Sequence, residues 1–521
     1  MNSLKEILAK NQEGILICIL VVVTLFFRLY KLSSIPFGLN NDTSWDATAA
    51  VDMLRGNLSP YLPYAAEGWR GEPIIRLPAA LFTLILGRNP MTVRLASDMF
   101  GIATIIPLYL LLRLLFNKKI AWVSSFFVAI SGWHITFSKV GWQAIAVPCF
   151  STLTFYYFFK GIRSNNIKNY ILSGIFLSGS LYTYIAARIL PLFILCLCIH
   201  VIIVHSKQFT HYIRSLSVLI GTFIITSLPI IYYAFNNWPN YVSRASYLNI
   251  WTPMEHQKTL TPLFQNIQTA LLLFTHNANG NDFFISEPLL DQPARLLFPL
   301  GVAIALWYFL KEKKKAYGFM LSWFIFALIP GIVSTPNGNR AIGTIPSVYF
   351  FSAIGLVWVI SLITHFFRGS VQKILSVSIL SLVLLYGTIV TYQIYLGPMR
   401  RELPGLYPKT YITIPNLKPF IATHDIYVTD NYPRELLTYF LYTNGDPFYK
   451  NYVWMEHNRE MLSVSPHTNR GLVFVMWDIP DNQPITDELR MKYPSATEQH
   501  IPYINDHISR PASILLIVPP R

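Results

Sequence analysis

The first three quarters of the chain alternate long apolar runs with short polar connections. Crossing the roughly 30 Å hydrocarbon layer of a bilayer takes a helix of about 20 apolar residues, and irregular backbone is not tolerated against lipid. The pattern therefore predicts eleven membrane-spanning helices. They cover approximately Gly14–Tyr30, Met99–Phe116, Ile120–Trp133, Trp142–Phe159, Tyr170–Ala186, Ile189–Val204, Ser215–Phe235, Leu296–Leu310, Ala316–Val333, Ala341–Phe367 and Ile374–Leu396.

Two further apolar segments lie in the connections and are too short or too polar to span. The segment Ile74–Leu86 contains Arg76, and Leu263–Phe274 has apolar residues on one helical face and polar residues on the other. A helix with one apolar and one polar face is suited to the membrane interface, where it meets lipid on one side and water on the other. Both segments are therefore predicted to be interfacial helices.

Lysine and arginine cluster on every second connection, which predicts the orientation of the chain. Cytoplasmic connections carry the excess of basic residues, so the N-terminus is expected in the cytoplasm of a multi-pass plasma membrane protein. The connections 31–98 and 236–295, and everything after residue 396, are then external. The first apolar run lacks a small-residue cleavage site and is expected to remain as an anchor. The basic residues are Lys118, Lys119, Lys160, Arg163, Lys168, Lys207, Arg214, Lys311, Lys313, Lys314, Lys315, Arg368 and Lys373.

The composition excludes several classes of protein. With 53% hydrophobic and only 13% charged residues, the chain is too apolar for a soluble protein of 521 residues. The net charge of +15 lies in short clusters between apolar runs, so it indicates membrane topology and not a nucleic-acid partner. No disulfide framework or zinc site is predicted, because all four cysteines lie inside apolar runs. They are Cys18, Cys149, Cys196 and Cys198.

The last quarter differs in composition, since 13 of the 26 Asp and Glu residues follow residue 396. Strands are predicted at Asp425–Val428, Leu472–Trp477 and Ser513–Val518, with a helix at Pro433–Leu441. The chain is therefore expected to divide into a membrane domain, residues 1–396, and a small extracytoplasmic α/β domain, residues 397–521. The glycine-rich loops that bind dinucleotides or phosphates are not found in this tail.

Candidate chemistry begins directly after the first predicted span, in the stretch NNDTSWDATAAVD. Asp42, Asp46 and Asp52 have a structural explanation as well, because acidic residues cap helices and favour their first turn. Arg188 and Arg340 are expected at the external ends of spans. An isolated arginine is costly there unless it extends to the lipid headgroups or binds an anion, and both alternatives stay open.

The stretch NNDTSWDATAAVD resembles the first external loop of polytopic GT-C glycosyltransferases, specifically the dolichyl-phosphate-mannose protein mannosyltransferase-like glycosyltransferase family 39. Further similar segments follow in order between residues 14 and 360. They are RGEPIIRLPAALF, SGWHITFSKVGWQAI, SLYTYIAARILP, HNANGNDFFISEPLLD and NGNRAIGTIP. The resemblance implies a GT-C membrane fold, a polyprenyl phosphate that carries one sugar, and inverting transfer to a hydroxyl on the outer face. An acceptor glycan, lipid or protein would supply that hydroxyl.

The resemblance implies a role for each matched residue. Asp42 takes the place of the general base, while Thr43 replaces the glutamate that usually follows. Either Asp46 or Glu72 is then the second carboxylate, and Glu72 is favoured because bacterial relatives have a matching Glu-Pro. Three cations are expected to contact the departing phosphate. They are Arg340, Arg188 and Lys139.

The remaining candidates have equally ordinary structural explanations. His134 is expected to be structural or to face the acceptor, because no second histidine lies at metal-ligand spacing. Tyr184 suits an aromatic belt as well as sugar stacking, and Asn279 suits a turn as well as a sugar hydroxyl. A divalent metal is possible but not expected. A transporter of a glycan or lipid, and an inactive GT-C-like scaffold, are the alternative functions.

Overall fold

The computed structural model describes most of the chain. The described residues are 12–36, 38–56, 58, 62–64, 69–278, 288–397, 412–429, 452–455, 457–465, 469–505 and 508–520.

The apolar part of the chain folds into a bundle of helices, as the hydrophobic pattern predicts. In chain order the helices are α1 Gln12–Leu29, α2 Asn41–Leu54, α3 Arg76–Leu86, α4 Met91–Leu115, α5 Lys118–Ala129, α6 Gly132–Lys139, α7 Ala146–Ser164, α8 Ile167–Leu181, α9 Leu190–Val204, α10 Phe209–Asn236, α11 Trp238–Tyr247, α12 Trp251–Gln257, α13 Thr261–Leu272, α14 Ala294–Leu310, α15 Lys315–Ile332, α16 Ile345–Thr364 and α17 Gly369–Leu396. A short antiparallel hairpin, β1 Leu62–Tyr64 with β2 Trp69–Gly71, lies between α2 and α3.

All eleven predicted apolar runs are helical, but fewer than eleven helices are long enough to cross a bilayer. Among the described residues eight helices have the necessary length and hydropathy, or nine if one bent pair counts as a single span. At 1.5 Å per residue, the 15 residues of α8 extend only about 22 Å. The number of full-length spans is therefore smaller than the sequence pattern predicts.

The bent pair is α5 and α6, which together replace the third predicted span and meet at an angle of 53°. The break has a local cause at Ser131. Its hydroxyl accepts a hydrogen bond from the His134 backbone N–H at 3.1 Å, which caps the start of a new helix. The apolar run continues through the break, so hydropathy alone does not reveal it.

Both predicted interfacial segments are helices, α3 and α13. On α3 the side chains of Ala79, Ala80 and Arg76 are buried, whereas Leu84 and Ile85 are exposed. Helix α13 likewise buries Ala270 and exposes large apolar side chains. Exposed apolar faces of this kind are expected where a helix contacts lipid.

The tail contains a mixed sheet, which confirms the predicted α/β class. The strands are β3 His424–Val428, β4 Tyr452–Trp454, β5 Gly471–Trp477, β6 Thr497–Asn505 and β7 Ile508–Val518, in the order β4-β3-β5-β7-β6 within the described residues. Strands β4, β3 and β5 are parallel, whereas β7 is antiparallel to β5 and to β6. Helix α18, Gln483–Lys492, buries Ile485 and Leu489 in the core on one face of this sheet. The predicted helix Pro433–Leu441 lies outside the described residues.

Candidate active site

Helix α2 carries the first two candidate carboxylates in its opening turns. Asn40 caps the helix, because its side-chain oxygen accepts a hydrogen bond from the Asp42 backbone N–H at 2.8 Å. Asp42 is partly exposed, whereas Asp46 is fully buried. The cap is therefore formed by Asn40, and the Asp42 side chain does not have to supply it.

Asp46 forms an ion pair with Arg76, the first residue of α3. The distance between Asp46 Oδ1 and Arg76 Nε is 2.8 Å, and both side chains are almost completely buried. A buried charge is tolerated only when it is paired and hydrogen-bonded. The pair joins α2 to the interfacial helix, so Asp46 has a structural role.

Thr43, which takes the place of the glutamate expected from the resemblance, is buried on the inner side of α2. Its hydroxyl donates a hydrogen bond to the Val140 carbonyl oxygen at 3.1 Å. The next residue, Gly141, has φ +83°, and a Cβ atom there would lie 2.6 Å from the Thr43 methyl group. Thr43 therefore fixes α2 against the turn that follows α6.

Glu72 lies at the centre of a second buried contact. Its Oε1 atom is 3.2 Å from Arg188 Nη2, and its Oε2 atom accepts a hydrogen bond from Gln143 Nε2 at 3.4 Å. The next segment is held by a backbone hydrogen bond from Ile74 N–H to the Tyr182 carbonyl at 3.1 Å. These contacts bring residues from three separate segments to one end of the bundle.

Arg188 lies in a 3₁₀ turn, Ile185–Ile189, and its guanidinium is held on two sides. Besides Glu72, it donates to the Tyr241 carbonyl at 3.1 Å, and its Cζ atom lies 4.0 Å from the centroid of the Tyr241 ring. Burial raises the pKa of the Tyr241 hydroxyl, and the nearby guanidinium partly lowers it. The guanidinium is oriented in this way while 19% of the side chain stays exposed.

Arg340 lies beside the same 3₁₀ turn, on the wall of a small cavity of about 20 Å³. Its backbone N–H donates to Asn337 Oδ1 at 3.0 Å, and its guanidinium donates to the Thr335 carbonyl. The cavity wall includes Ala186, Ala187 and Ile189, the neighbours of Arg188 in the chain. The structure therefore places the segments of both predicted phosphate-binding arginines next to each other.

Two buried cations hold the segment that leads from α1 to α2. Lys139 Nζ donates to the Tyr30 carbonyl at 2.7 Å, and Arg94 Nη1 donates to the Leu32 carbonyl at 2.8 Å. Arg94 Nη2 also donates to the Gly38 carbonyl. These three bonds, which we call the carbonyl clasp, fix the backbone just before Asp42. The position of Lys139 favours this supporting role over contact with a phosphate.

Behind the carbonyl clasp lies a further group of buried charged and polar side chains. Arg28 Nη2 is 2.6 Å from His134 Nδ1, and Arg28 also donates to the Val128 and Ala129 carbonyls at 3.3 and 3.0 Å. The carboxylate of Asp98 is buried and interacts electrostatically with the cations around it. His134 is therefore packed inside the bundle, which favours the structural alternative over contact with the acceptor.

Asp291 links the end of the fourth predicted external loop to α6. Its Oδ2 atom accepts a hydrogen bond from the Gly132 backbone N–H, the first residue of α6, at 2.6 Å. Burial raises the pKa of the Asp291 carboxyl to about 6, although the Gly132 N–H lowers it in part. Asp291 thus fixes the N-terminus of the helix that carries His134 and Lys139.

The last two predicted site residues have different outcomes. Tyr184 is buried, and its ring centroid lies 6.4 Å from that of Trp142, so it packs within the bundle. Asn279 lies outside the described residues. Within the described residues no group of three His, Cys, Asp or Glu side chains is arranged to hold a metal ion. Independence from a divalent metal stays a prediction.

The sequence did not single out Gln143 or Tyr241, nor the pairing of Arg76 with Asp46. Gln143, Tyr241 and Arg76 all act through contacts with residues far away in the chain. Such contacts leave no periodic pattern in the sequence. Arg76 did offer a signal, because a charged residue inside an apolar interfacial segment needs a partner.

Comparison with known proteins shows which proteins this chain resembles. The sequence profile of dolichyl-phosphate-mannose-protein mannosyltransferases matches residues 72–233, which include Glu72, Lys139 and Arg188. No curated protein matches the chain at a significant level.

Similar solved structures show the same fold over most of the chain. ArnT from Cupriavidus metallidurans bound to undecaprenyl phosphate is 12% identical, with a TM-score of 0.58 over 98% of this chain and 100% of that one. The oligosaccharyltransferase AglB from Archaeoglobus fulgidus, in complex with an inhibitory peptide and a dolichol-phosphate, is 13% identical. Its TM-score is 0.53 over 83% of this chain and 64% of that one.

The chain therefore has the fold of these two membrane proteins, and its residues 72–233 are similar in sequence to the dolichyl-phosphate-mannose-protein mannosyltransferases. Its fold consists of apolar helices that form a membrane domain and a small C-terminal sheet domain.

Proposed function

We propose that this protein transfers a single sugar from a polyprenyl-phosphate donor to an acceptor hydroxyl on the external face of the membrane, with inversion. The observation that carries the proposal is the position of a partly exposed Asp42 at the same end of the bundle as Arg188 and Arg340. Structures with this fold have been obtained with undecaprenyl phosphate and with a dolichol-phosphate, which supports a lipid-phosphate donor.

Two chains of contacts connect these residues. Thr43, adjacent to Asp42, bonds to Val140, and Gln143 follows three residues later with its bond to Glu72. Glu72 in turn contacts Arg188, whose neighbours line the cavity of Arg340. The carboxylate, the cations and the cavity therefore belong to one region of the molecule.

The proposed reaction is one displacement at the anomeric carbon. Asp42 accepts the proton of the acceptor hydroxyl while the acceptor oxygen forms a bond to that carbon. The bond between the carbon and the phosphate oxygen breaks, and the phosphate keeps the electron pair. A single attack from the side opposite the leaving group inverts the configuration. Proton transfer to a positioned base contributes about 10²–10⁴-fold to such reactions.

The difference in burial favours Asp42 over the other two carboxylates as the base. Asp46 is bound to Arg76, and Glu72 is bound to Arg188 and Gln143, and both are buried. A general base has to lie within hydrogen-bond reach of the acceptor hydroxyl, and the two buried side chains are less accessible to it than Asp42. We therefore assign Glu72 to orienting Arg188 and Asp46 to holding α3.

The departing phosphate needs fixed positive charge close to its oxygen atoms. Arg188 presents a partly exposed guanidinium whose orientation is set by Glu72 and by the ring of Tyr241. Arg340 contributes a second guanidinium from the wall of the adjacent cavity. A planar guanidinium group can donate two parallel hydrogen bonds to two oxygen atoms of one phosphate. This geometry suits both arginines to a lipid phosphate at the membrane surface.

The test is sugar transfer by the purified protein from a polyprenyl-phosphate sugar to a hydroxyl acceptor. We expect Asp42→Asn to lower the rate by about 10² or more. Asp52→Asn is the matched control, because it makes the same chemical change near the end of the same helix. Equal turnover by wild type and Asp42→Asn would remove the assignment of the base. Absence of transfer together with movement of the lipid across the membrane would instead indicate a transporter.

A further inference from the structure

A second and larger cavity lies at the end of the bundle opposite the candidate active site. Helices α7 and α9 begin near Gln143 and Arg188 and end at this cavity, while α15 begins there with Lys315 and ends near Arg340. The cavity has a volume of about 530 Å³. Typical small-molecule pockets measure about 300–1,000 Å³, so the space is large enough for a long apolar group.

The lining of this cavity is amphipathic. Its inner wall consists of apolar side chains, among them Phe158, Phe159 and Leu197. Its mouth carries Lys315, His200 and His205. An apolar interior with a cationic rim matches a molecule with an anionic head and a hydrocarbon tail, and basic pockets between membrane helices bind anionic lipids.

The charge around the mouth strengthens this match. The connection before α15 has the sequence KEKKK, with four lysines and one glutamate, and the run ends at Lys315, the first residue of that helix. A helix N-terminus carries partial positive charge, so cations there are unfavourable and an anion is favoured. Lys314 is partly neutralised by Glu312 at 3.6 Å, whereas Lys315 lines the cavity itself. A phosphate group at this mouth would stabilise both the lysines and the helix end.

An aromatic pair separates this cavity from the one beside Arg340. Phe193 and Phe326 line both cavities, and their rings stack with centroids 4.5 Å apart and an interplanar angle of 19°. A lipid tail could pass from one cavity to the other only if this stack opened. The two cavities are therefore separate in this structure.

We infer that the larger cavity binds an anionic phospholipid of the surrounding membrane, with an acyl chain between α7, α9 and α15 and its phosphate at Lys315. None of the candidate site residues lines this cavity, which shares Phe193 and Phe326 with the cavity beside Arg340. The inference is therefore independent of the proposed glycosyl transfer. The site would link the lipid composition of the opposite leaflet to the stability of the helices that carry Arg188 and Arg340.

The test is lipid binding to the full-length protein in detergent, measured by native mass spectrometry. Phosphatidylglycerol is compared with phosphatidylcholine of identical acyl chains. We expect at least a tenfold preference for phosphatidylglycerol, and a tenfold or greater loss of its binding in Lys315→Gln and in Cys196→Trp, which places a large side chain in the cavity. Lys373→Gln and Cys18→Trp are the matched controls, because these exposed residues lie outside the cavity and should leave binding unchanged.

Two results would overturn the inference. Equal affinity for the two phospholipids would mean that the space packs hydrocarbon without recognising a head group. Displacement of phosphatidylglycerol by a polyprenyl phosphate, together with loss of binding in Arg340→Ala, would mean that the space holds the tail of a lipid whose phosphate lies at the other end.

Discussion

The buried pair of Glu72 and Arg188 permits an experiment that separates catalysis from folding. The two charged groups are 3.2 Å apart, with 4% of the Glu72 side chain and 19% of the Arg188 side chain exposed. At that distance their attraction amounts to about 1.3 kcal/mol in water and about 5 kcal/mol at an effective dielectric constant of 20, before the cost of desolvation. Removing one partner from a buried pair leaves an uncompensated charge and costs up to about 3–5 kcal/mol.

We expect Arg188→Gln to destabilise the protein more than Glu72→Gln does, because Glu72 is the more deeply buried of the two. The double variant, with both residues changed to glutamine, removes both charges and allows two neutral amides to hydrogen-bond. Its stability should therefore recover most of the loss caused by Arg188→Gln. The measurement is the midpoint of thermal unfolding in detergent for the wild type and the three variants.

Sugar transfer should follow a different order from stability. If Arg188 contacts the departing phosphate, transfer falls by about 10² or more in Arg188→Gln and stays low in the double variant. If transfer returns together with stability in the double variant, Arg188 only supports the fold and its assignment to the phosphate is refuted. Glu72→Gln alone should retain part of the activity, because the Arg188 guanidinium keeps its contacts with Tyr241.

Three further predictions concern single residues. Arg340→Ala should lower kcat/KM for the lipid donor by about 10² or more, and an unchanged value would show that the guanidinium only reaches lipid headgroups. Arg94→Met removes two hydrogen bonds of the carbonyl clasp, so the backbone before Asp42 is expected to shift. The variant should lower kcat about 10–10²-fold with little change in donor KM. A change in thermal stability without a change in kcat would contradict this. For Asp291, the native pKa of about 6 lies above the unfolded value near 4, so the native state binds the proton more strongly. The thermal midpoint of the wild type minus that of Asp291→Asn should therefore fall as pH rises from about 4 to 6. A difference between the two midpoints that does not vary with pH would contradict the raised pKa.

The membrane helices were predictable because their signal is local. An apolar run of sufficient length has few alternatives in a bilayer, so every predicted run is helical in the described residues. The break between α5 and α6 was not predicted, because the run stays apolar while the Ser131 hydroxyl caps a new helix. The sequence SGWH does contain the signal, a serine with a glycine directly after it, but such pairs also occur inside continuous helices.

Individual candidate residues were easier to predict than their partners. The sequence placed Asp42, Glu72, Arg188 and Arg340 in external segments, and the structure groups those segments at one end of the bundle. The pairings of Glu72 with Arg188 and of Asp46 with Arg76 join residues 116 and 30 positions apart. No spacing rule covers such distances, so the distinction between the buried carboxylates and the partly exposed one emerges only from the fold.

Arg28 shows where a stronger sequence argument was available. It lies inside the first apolar run, where an arginine is costly unless it has a buried partner or faces a polar interior. In the structure it contacts His134 and three backbone carbonyls, and the carboxylate of Asp98 lies within electrostatic range. A cation within a span therefore indicated a polar interior next to the external loops, although its partners could not be named from the sequence.

The replacement of the usual glutamate by Thr43 has a structural explanation that bears on the proposed mechanism. In this chain the Thr43 side chain is buried and its hydroxyl donates to the Val140 carbonyl. Its methyl group packs so closely against Gly141 that a Cβ atom at Gly141 would clash with it. A glutamate in that orientation would bury a carboxylate against backbone oxygens, which is unfavourable without a cation. The second carboxylate of the proposed site is therefore better supplied from the neighbouring segment by Glu72, whose charge is matched by Arg188. On this basis Thr43 is compatible with activity, and Thr43→Glu should impair transfer instead of improving it.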